Sequence, residues 1–290
     1  MKMKSILRQL TPPIKIHVWG GFGSQLFALV VAWRVSKLYD YRRINLVFHT
    51  SGVTERVREI PISWLGDFSF VEIRDFAHLN NTSENPEHSS FVNAIRRKWP
   101  SFLTKCGLLS RANLDSDFEF LKPWILQFRG HYSHFRLQSS EILRLMNLFE
   151  ITTIDTVFDQ ISIHYRLGDL LTLSNKTYIK PSRIKNTLER LRVHATPVII
   201  FSDSAEEAVS KVLSPFFSDQ RISYLQMPPI DTIRNCVKSK FFVGTNSKLS
   251  LWIAVFRSMN GVMSAIPHEL KEQLKAELEL DGEQPNLLIY

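Results

Sequence analysis

The sequence predicts a two-domain α/β protein built on parallel, doubly wound sheets, and three observations predict it. First, 290 residues at about 150 per domain make two compact units. Second, 44% hydrophobic and 11% aromatic residues are enough to build real cores and argue against wholesale disorder. Third, short β-prone runs alternate with helical stretches along most of the chain, the signature of a parallel sheet with helices on its faces.

The elements follow in order. Residues Ile14–Trp19 alternate as a strand, Gly20, Gly21 and Gly23 make a turn, and Gln25–Tyr39 has helical spacing. Ile44–Phe48 and Phe70–Ile73 read as further strands, and the polar run from His78 to Ser90 as a surface loop. A basic helical stretch at Phe91–Lys98, a strand at Trp124–Phe128 and a helix at Leu137–Phe149 complete the first half. A second array then begins, and the domain boundary is placed near residue 150, giving domains 1–150 and 151–290. Its strands are expected at Gln160–Tyr165, Pro197–Phe201, Ile222–Leu225, Lys240–Val243 and Gly261–Ile266. Its helices are expected at Pro181–Val193, Ala205–Leu213, Asp231–Val237 and Lys248–Ser258, with a charged, helix-prone tail from Lys271.

Composition narrows the function classes. Thirty-six Lys and Arg against 28 Asp and Glu leave a formal charge of +8, which favours anionic partners: phosphates, nucleic acid or an acidic membrane surface. Cys106 and Cys236 have neither the number of a disulfide framework nor the spacing of a zinc site, and both are expected as reduced core residues. The apolar run Leu26–Trp33 is too short for a membrane span, and the opening MKMKSILRQL develops no cleavage pattern, so a cytoplasmic location is the expectation. The basic residues are scattered and form no recognition module, which disfavours nucleic acid as partner. No phosphate-loop lysine motif, serine elbow, H-E-x-x-H or Asp-x-Asp pair is present.

Ligands of doubly wound sheets bind at the carboxyl ends of strands, so the residues just after each strand are the candidates. Four places stand out. GGFGSQLF at 20–27 offers Gly21 and Gly23 for close backbone approach, with Ser24 and Gln25 opening the helix that follows. It lacks the third glycine of a dinucleotide fingerprint, and a plain packing turn is the alternative. ISIHYRLGDLL at 161–171 delivers His164, Arg166 and Asp169. The arginine suits a bidentate phosphate contact, and the aspartate suits orienting it or accepting a proton. The alternative is a structural Arg/Asp pair beside a packing histidine. VIIFSDS at 198–204 presents Ser202 and Asp203, one of which is expected to cap the helix at Ala205. FFVGTNSKLSLWIA at 241–254 presents Thr245, Asn246 and Ser247 at a helix start, as anion donors or as a cap. Three anion-ready loops in one half favour a nucleotide site.

Together these loops resemble the fucosyltransferase superfamily, specifically the bacterial α-1,2-fucosyltransferase-like glycosyltransferases of family 11. That family's G-G-x-G-N-Q-L-F is matched by GGFGSQLF, its H-x-R-R-G-D-Y by HYRLGDL at 164–170, and its F-S-D-D by FSDS at 201–204. Its S-N-S-S-F-S-W-W-A-A is matched by TNSKLSLWIA at 245–254, and GHYSHF at 130–135 echoes its middle segment. The matches run in order from Lys15 to about Ile266. Three positions depart: Ser24 stands for asparagine, Leu167 for a second arginine and Ser204 for a second aspartate. The missing arginine removes one cation near the diphosphate, so an altered donor affinity or identity is expected.

The resemblance implies a GT-B type glycosyltransferase: two Rossmann-like domains facing an interdomain cleft, the acceptor on the first and the nucleotide-sugar on the second. It implies an inverting transfer of fucose or another 6-deoxyhexose such as colitose from a GDP-sugar donor, with no permanently bound cofactor and no metal required. Arg166 and Asp169 are the implied catalytic residues, with His17 and His131 as reserve bases. Gly21, Gly23, Ser24, Gln25, His164, Arg166, Ser202, Asp203, Thr245, Asn246 and Ser247 are the implied donor-binding set. The implied acceptor is an oligosaccharide or lipid-linked glycan of O-antigen or capsule assembly, with the basic surface in peripheral contact with anionic membrane. The alternatives are a GT-B transferase using UDP or ADP, and a non-catalytic phosphate or nucleic-acid binding protein.

Overall fold

The computed structural model describes residues 11–49, 57–73, 106, 109–111, 125–129, 132, 137–154, 156–168, 178–192, 196–217, 222–270 and 286–290. The chain divides into two compact units, Met1–Phe135 and Arg136–Tyr290. Each is a parallel α/β unit, as the alternation of elements predicts.

The first unit holds strands β1 (Ile14–Val18), β2 (Ile44–His49), β3 (Ser69–Ile73), β4 (Leu109–Arg111) and β5 (Gln127–Arg129), in the order β3-β2-β1-β5-β4. Every pairing is parallel. Helix α1 (Phe22–Leu38) packs on β1 and β2. Its run of Leu, Phe, Ala and Val is buried on nearly every side, so burial rather than propensity holds it. One face of the sheet is apolar and buried, with Ile14, Ile16, Val18, Ile44, Leu46, Phe48 and Phe128 in register. The other face carries Lys15, His17, Asn45, His49, Gln127 and Arg129, because strand side chains alternate.

The second unit holds β6 (Phe158–Tyr165), β7 (Val198–Ser202), β8 (Ile222–Leu225), β9 (Ser239–Gly244), β10 (Ser264–Ile266) and β11 (Leu287–Ile289). The order β8-β7-β6-β9-β10-β11, with every pairing parallel, is the 3-2-1-4-5-6 Rossmann arrangement. Helices α3 (Pro181–Arg190), α4 (Glu206–Leu213), α5 (Pro229–Lys238) and α6 (Lys248–Met259) connect the strands. Arg257 of α6 is fully buried without a carboxylate partner among the described residues. Its guanidinium donates to the carbonyls of Cys236, Val237, Ser239, Lys240 and Met263 and to Ser264 Oγ, and burial pushes its pKa down to about 10.

Several expectations need revision. The division at 135/136 precedes the boundary placed near 150, because α2 (Ser139–Phe149) packs with the second unit. The Phe149 ring lies 5.3 Å from that of Phe256, and Arg234 Nε donates to Phe149 O at 2.9 Å. Strands β4 and β11 were not anticipated. Cys106 is exposed rather than in a core, and only Cys236 is buried. The expected loop at 78–90, helix at 91–98 and tail at 271–280 lie outside the described residues.

Candidate functional site

In a 3-2-1-4-5-6 sheet the crevice opens where the strand order reverses, here between the carboxyl ends of β6 and β9. The chain leaves β9 through Gly244, where a Cβ would stand 2.8 Å from Ser250 Cβ, so only glycine fits against α6. Thr245 then bridges the two strands: its Oγ1 donates to His164 O at 2.9 Å and accepts from Arg166 N at 3.0 Å. Ser250 Oγ accepts from Thr245 N at 3.0 Å and contacts His164 Nδ1 at 2.7 Å. Burial pushes His164 down to about 4, opposed by Asp203 and reinforced by Arg166, so the ring is neutral at ordinary pH.

The end of β7 serves the same turn. Asp203 Oδ1 accepts from Leu167 N at 3.0 Å and Gly168 N at 3.1 Å. Ser202 Oγ donates to Tyr165 O at 2.7 Å and accepts from Ser204 N at 3.2 Å. Neither residue caps α4, whose N-cap is Ala205 with no side-chain bond. The expectation of a cap fails because both side chains hold the turn after β6 instead. A Cβ on Gly168 would lie 3.0 Å from Asp203 Oδ2, which keeps that backbone close. Ser247 caps α6, its Oγ accepting from Leu249 N and Ser250 N. The hydroxyls of Thr245 and Ser247 are thus spent on the frame, and Arg166 and Asn246 are partly exposed at the ends of β6 and β9.

His164, Arg166, Ser202, Asp203, Thr245, Asn246 and Ser247 therefore come together at one sheet edge, while Asp169 and His131 lie outside the described residues. Leu167 is fully buried in the core of the second unit, so the position of the family's second arginine belongs to packing here. Sequence reading missed Tyr290, whose hydroxyl donates to Gly244 O at 2.6 Å and whose ring lies under Arg183, 5.6 Å from centroid to guanidinium carbon. The apolar run NLLIY was its signal, read only as the end of a charged tail.

Gly21, Gly23, Ser24 and Gln25 lie in the first unit. Gly20 turns at φ +86°, and a Cβ there would stand 2.9 Å from Ser24 Oγ. The first amide of α1, Phe22 N, donates to Glu59 Oε2 at 2.6 Å, so a carboxylate of the chain itself sits at the helix start. Gln25 is buried and spent within the unit: its amide donates to Gly20 O and Val57 O and accepts from Glu59 N and Ile60 N. Nothing in the glycine motif announces Glu59, which lies 37 residues beyond Phe22.

His17 and His49, at the ends of β1 and β2, form a second cluster. His17 Nδ1 and His49 Nε2 are 2.8 Å apart, and Trp19 stacks on His49 at 4.7 Å and on His17 at 5.6 Å between ring centroids. Burial, then Arg129, pushes both rings down, His17 to about 3 and His49 to about 4. Gln127 opposes the shift of His17 without a well-formed hydrogen bond to it.

No protein-family model matches the chain, and no curated relative does, so the family resemblance rests on the quoted motifs. Among solved structures, the chain is similar to the Escherichia coli heptosyltransferase WaaC with ADP, at 10% identity and TM-score 0.49 over 96% of this chain and 92% of that one. It is also similar to a glycosyl transferase of family 9 from Veillonella parvula, at 10% identity and TM-score 0.46 over 96% and 86% of the two chains. A third likeness is to the fucosyltransferase NodZ from Bradyrhizobium, at 14% identity and TM-score 0.40 over 86% and 95%.

Proposed function

We propose that this chain is an inverting, metal-independent glycosyltransferase of GT-B type that moves fucose or a related 6-deoxyhexose from a GDP-sugar to a glycan acceptor. The observation that carries the reading is the edge between β6 and β9, where Arg166 stands beside the start of α6 at the crevice position of a Rossmann sheet. The ordered motif matches name the reaction, and residues of three of them, among them Arg166, Asp203 and Thr245, meet at the carboxyl ends of β6, β7 and β9.

In the proposed reaction the acceptor hydroxyl attacks the anomeric carbon from the side opposite the diphosphate. The new C–O bond forms as the bond to phosphate breaks, and its electron pair leaves on the β-phosphate. Arg166, with Asn246 at the start of α6, neutralises that charge, the task a metal performs in enzymes carrying an Asp-x-Asp motif. Asp169 takes the hydroxyl proton. Asp203 acts from behind, fixing the backbone of the turn that carries Arg166. The acceptor side belongs to the first unit, and a lipid-linked glycan of O-antigen or capsule assembly fits the net charge of +8.

Turnover of GDP-fucose in the presence of a chelator is the direct test, read with a thermal-shift panel of GDP, UDP and ADP. Stabilisation by GDP and an inverted product support the reading. Preference for UDP or ADP reassigns the donor, and salt-sensitive duplex binding without turnover of any nucleotide-sugar overturns it. Arg166→Ala is expected to lower kcat by on the order of a hundredfold.

A further inference from the structure

The first sheet carries a cluster of basic and polar groups that the donor site does not use. Among the described residues, His17 Nε2, Asn45 Oδ1, Gln127 Oε1 and Arg129 Nε are buried atoms without a hydrogen-bond partner, and all lie on the same face of β1, β2 and β5, which buried Val47 shares. His17 itself is only 7% exposed. Extending the register that sets Lys15 beside Gln127 puts His17 beside Arg129. The groups acting on His17 and Arg129 are Lys15, His49, Gln127 and Tyr132 besides each other, with no carboxylate among them. A half-buried guanidinium with its Nε buried and unpartnered, and with no carboxylate beside it among the described residues, is costly, and such charges are retained where a ligand supplies the partner.

The rest of the face says what carries that charge. Gln127 Oε1 and Asn45 Oδ1 are acceptors, which repel a bare anion but suit hydroxyl groups. Trp19, partly exposed and backed by the two histidine rings, offers a flat apolar surface. We propose that the polar face of β1 and β5 binds an acidic sugar, Arg129 and His17 taking its anionic group while Gln127 and Trp19 meet its hydroxyls and ring face. The anionic group is a carboxylate or a phosphate on the sugar. This deepens the transferase reading by naming the acceptor's chemistry, on which the choice of a sugar rests.

The test measures binding of glucuronate, glucose 6-phosphate, glucose and inorganic phosphate to the full chain by calorimetry, with GDP binding measured separately. Glucuronate or glucose 6-phosphate is expected to bind at least tenfold more tightly than glucose or inorganic phosphate, and whichever of the two binds tighter names the group. Arg129→Met is expected to abolish that preference, to leave GDP binding unchanged and to leave Tm equal or higher, because it removes a buried, unpartnered Nε. Equal affinity for glucose and glucuronate, equal affinity for inorganic phosphate, or a preference that survives Arg129→Met overturns the site. If Arg129→Met does not fold, the arginine is structural and the site is overturned unless Arg129→Lys, which keeps the charge without the fork, folds and weakens the acidic sugars alone. Loss of GDP binding by the unaltered chain with the acidic-sugar preference intact would sink the transferase reading and leave this site standing.

Discussion

Thr245 shows how much one side chain decides at the crevice. Its hydroxyl satisfies a carbonyl of β6 and the amide that follows that strand, so it fixes where Arg166 leaves the sheet. Thr245→Val keeps the shape and leaves both backbone groups unpaired, at a cost of about 2 kcal/mol. Urea unfolding should show the midpoint lowered with the slope unchanged, and under the proposed function kcat should fall more than KM rises. Gly244 is decided by space instead. Gly244→Ala forces β9 and α6 apart and should cost about 1–3 kcal/mol in the same measurement.

At the scale of elements, the sequence made the central strands plain and the edges obscure. β7 (VIIFS) and the FFVG of β9 are short apolar runs ending in a small residue, and β6 alternates Ile161, Ile163 and Tyr165 with Ser162 and His164 while staying buried on both faces, the pattern of strands inside a covered parallel sheet. The three-residue strands β4 and β11 carry no period long enough to register, since pairing with a neighbour makes them strands. The same contrast holds for the site. Residues at strand ends, among them His164, Arg166, Asp203 and Thr245, stood where pattern pointed. Glu59 and Tyr290 could not be found that way, because their roles depend on chain reversals that bring distant residues to one helix start and one carbonyl. Tyr290 makes β11 part of the crevice: Tyr290→Phe removes the donor to Gly244 O and should lower Tm by a few degrees while GDP protects the variant less than the parent, as a paired thermal-shift measurement would read.

For the whole molecule, acid is the expected weak point. His17, His49 and His164 are held at about 3, 4 and 4, against about 6.5 in an unfolded chain. Between those values the unfolded chain binds protons that the folded one refuses, so stability is complete above about pH 7 and is lost as pH falls from about 6.5 towards 4. The slope is up to about 1.4 kcal/mol per pH unit for each ring. Melting at pH 7.5, 6 and 5 should give progressively lower transitions, and a flat profile would mean that the rings accept protons without unfolding. Both units share the sensitivity, since two of these histidines lie in the first and one in the second.

Arg257 has a consequence for how the second unit comes apart. One guanidinium is bonded to carbonyls at the end of α5, the start of β9 and the approach to β10, so none of these can loosen without stripping a buried cation of its acceptors. Amide hydrogens across these three segments should therefore exchange with deuterium at a common slow rate, as a single cooperative block, and Arg257→Met should split that block into pieces that open independently.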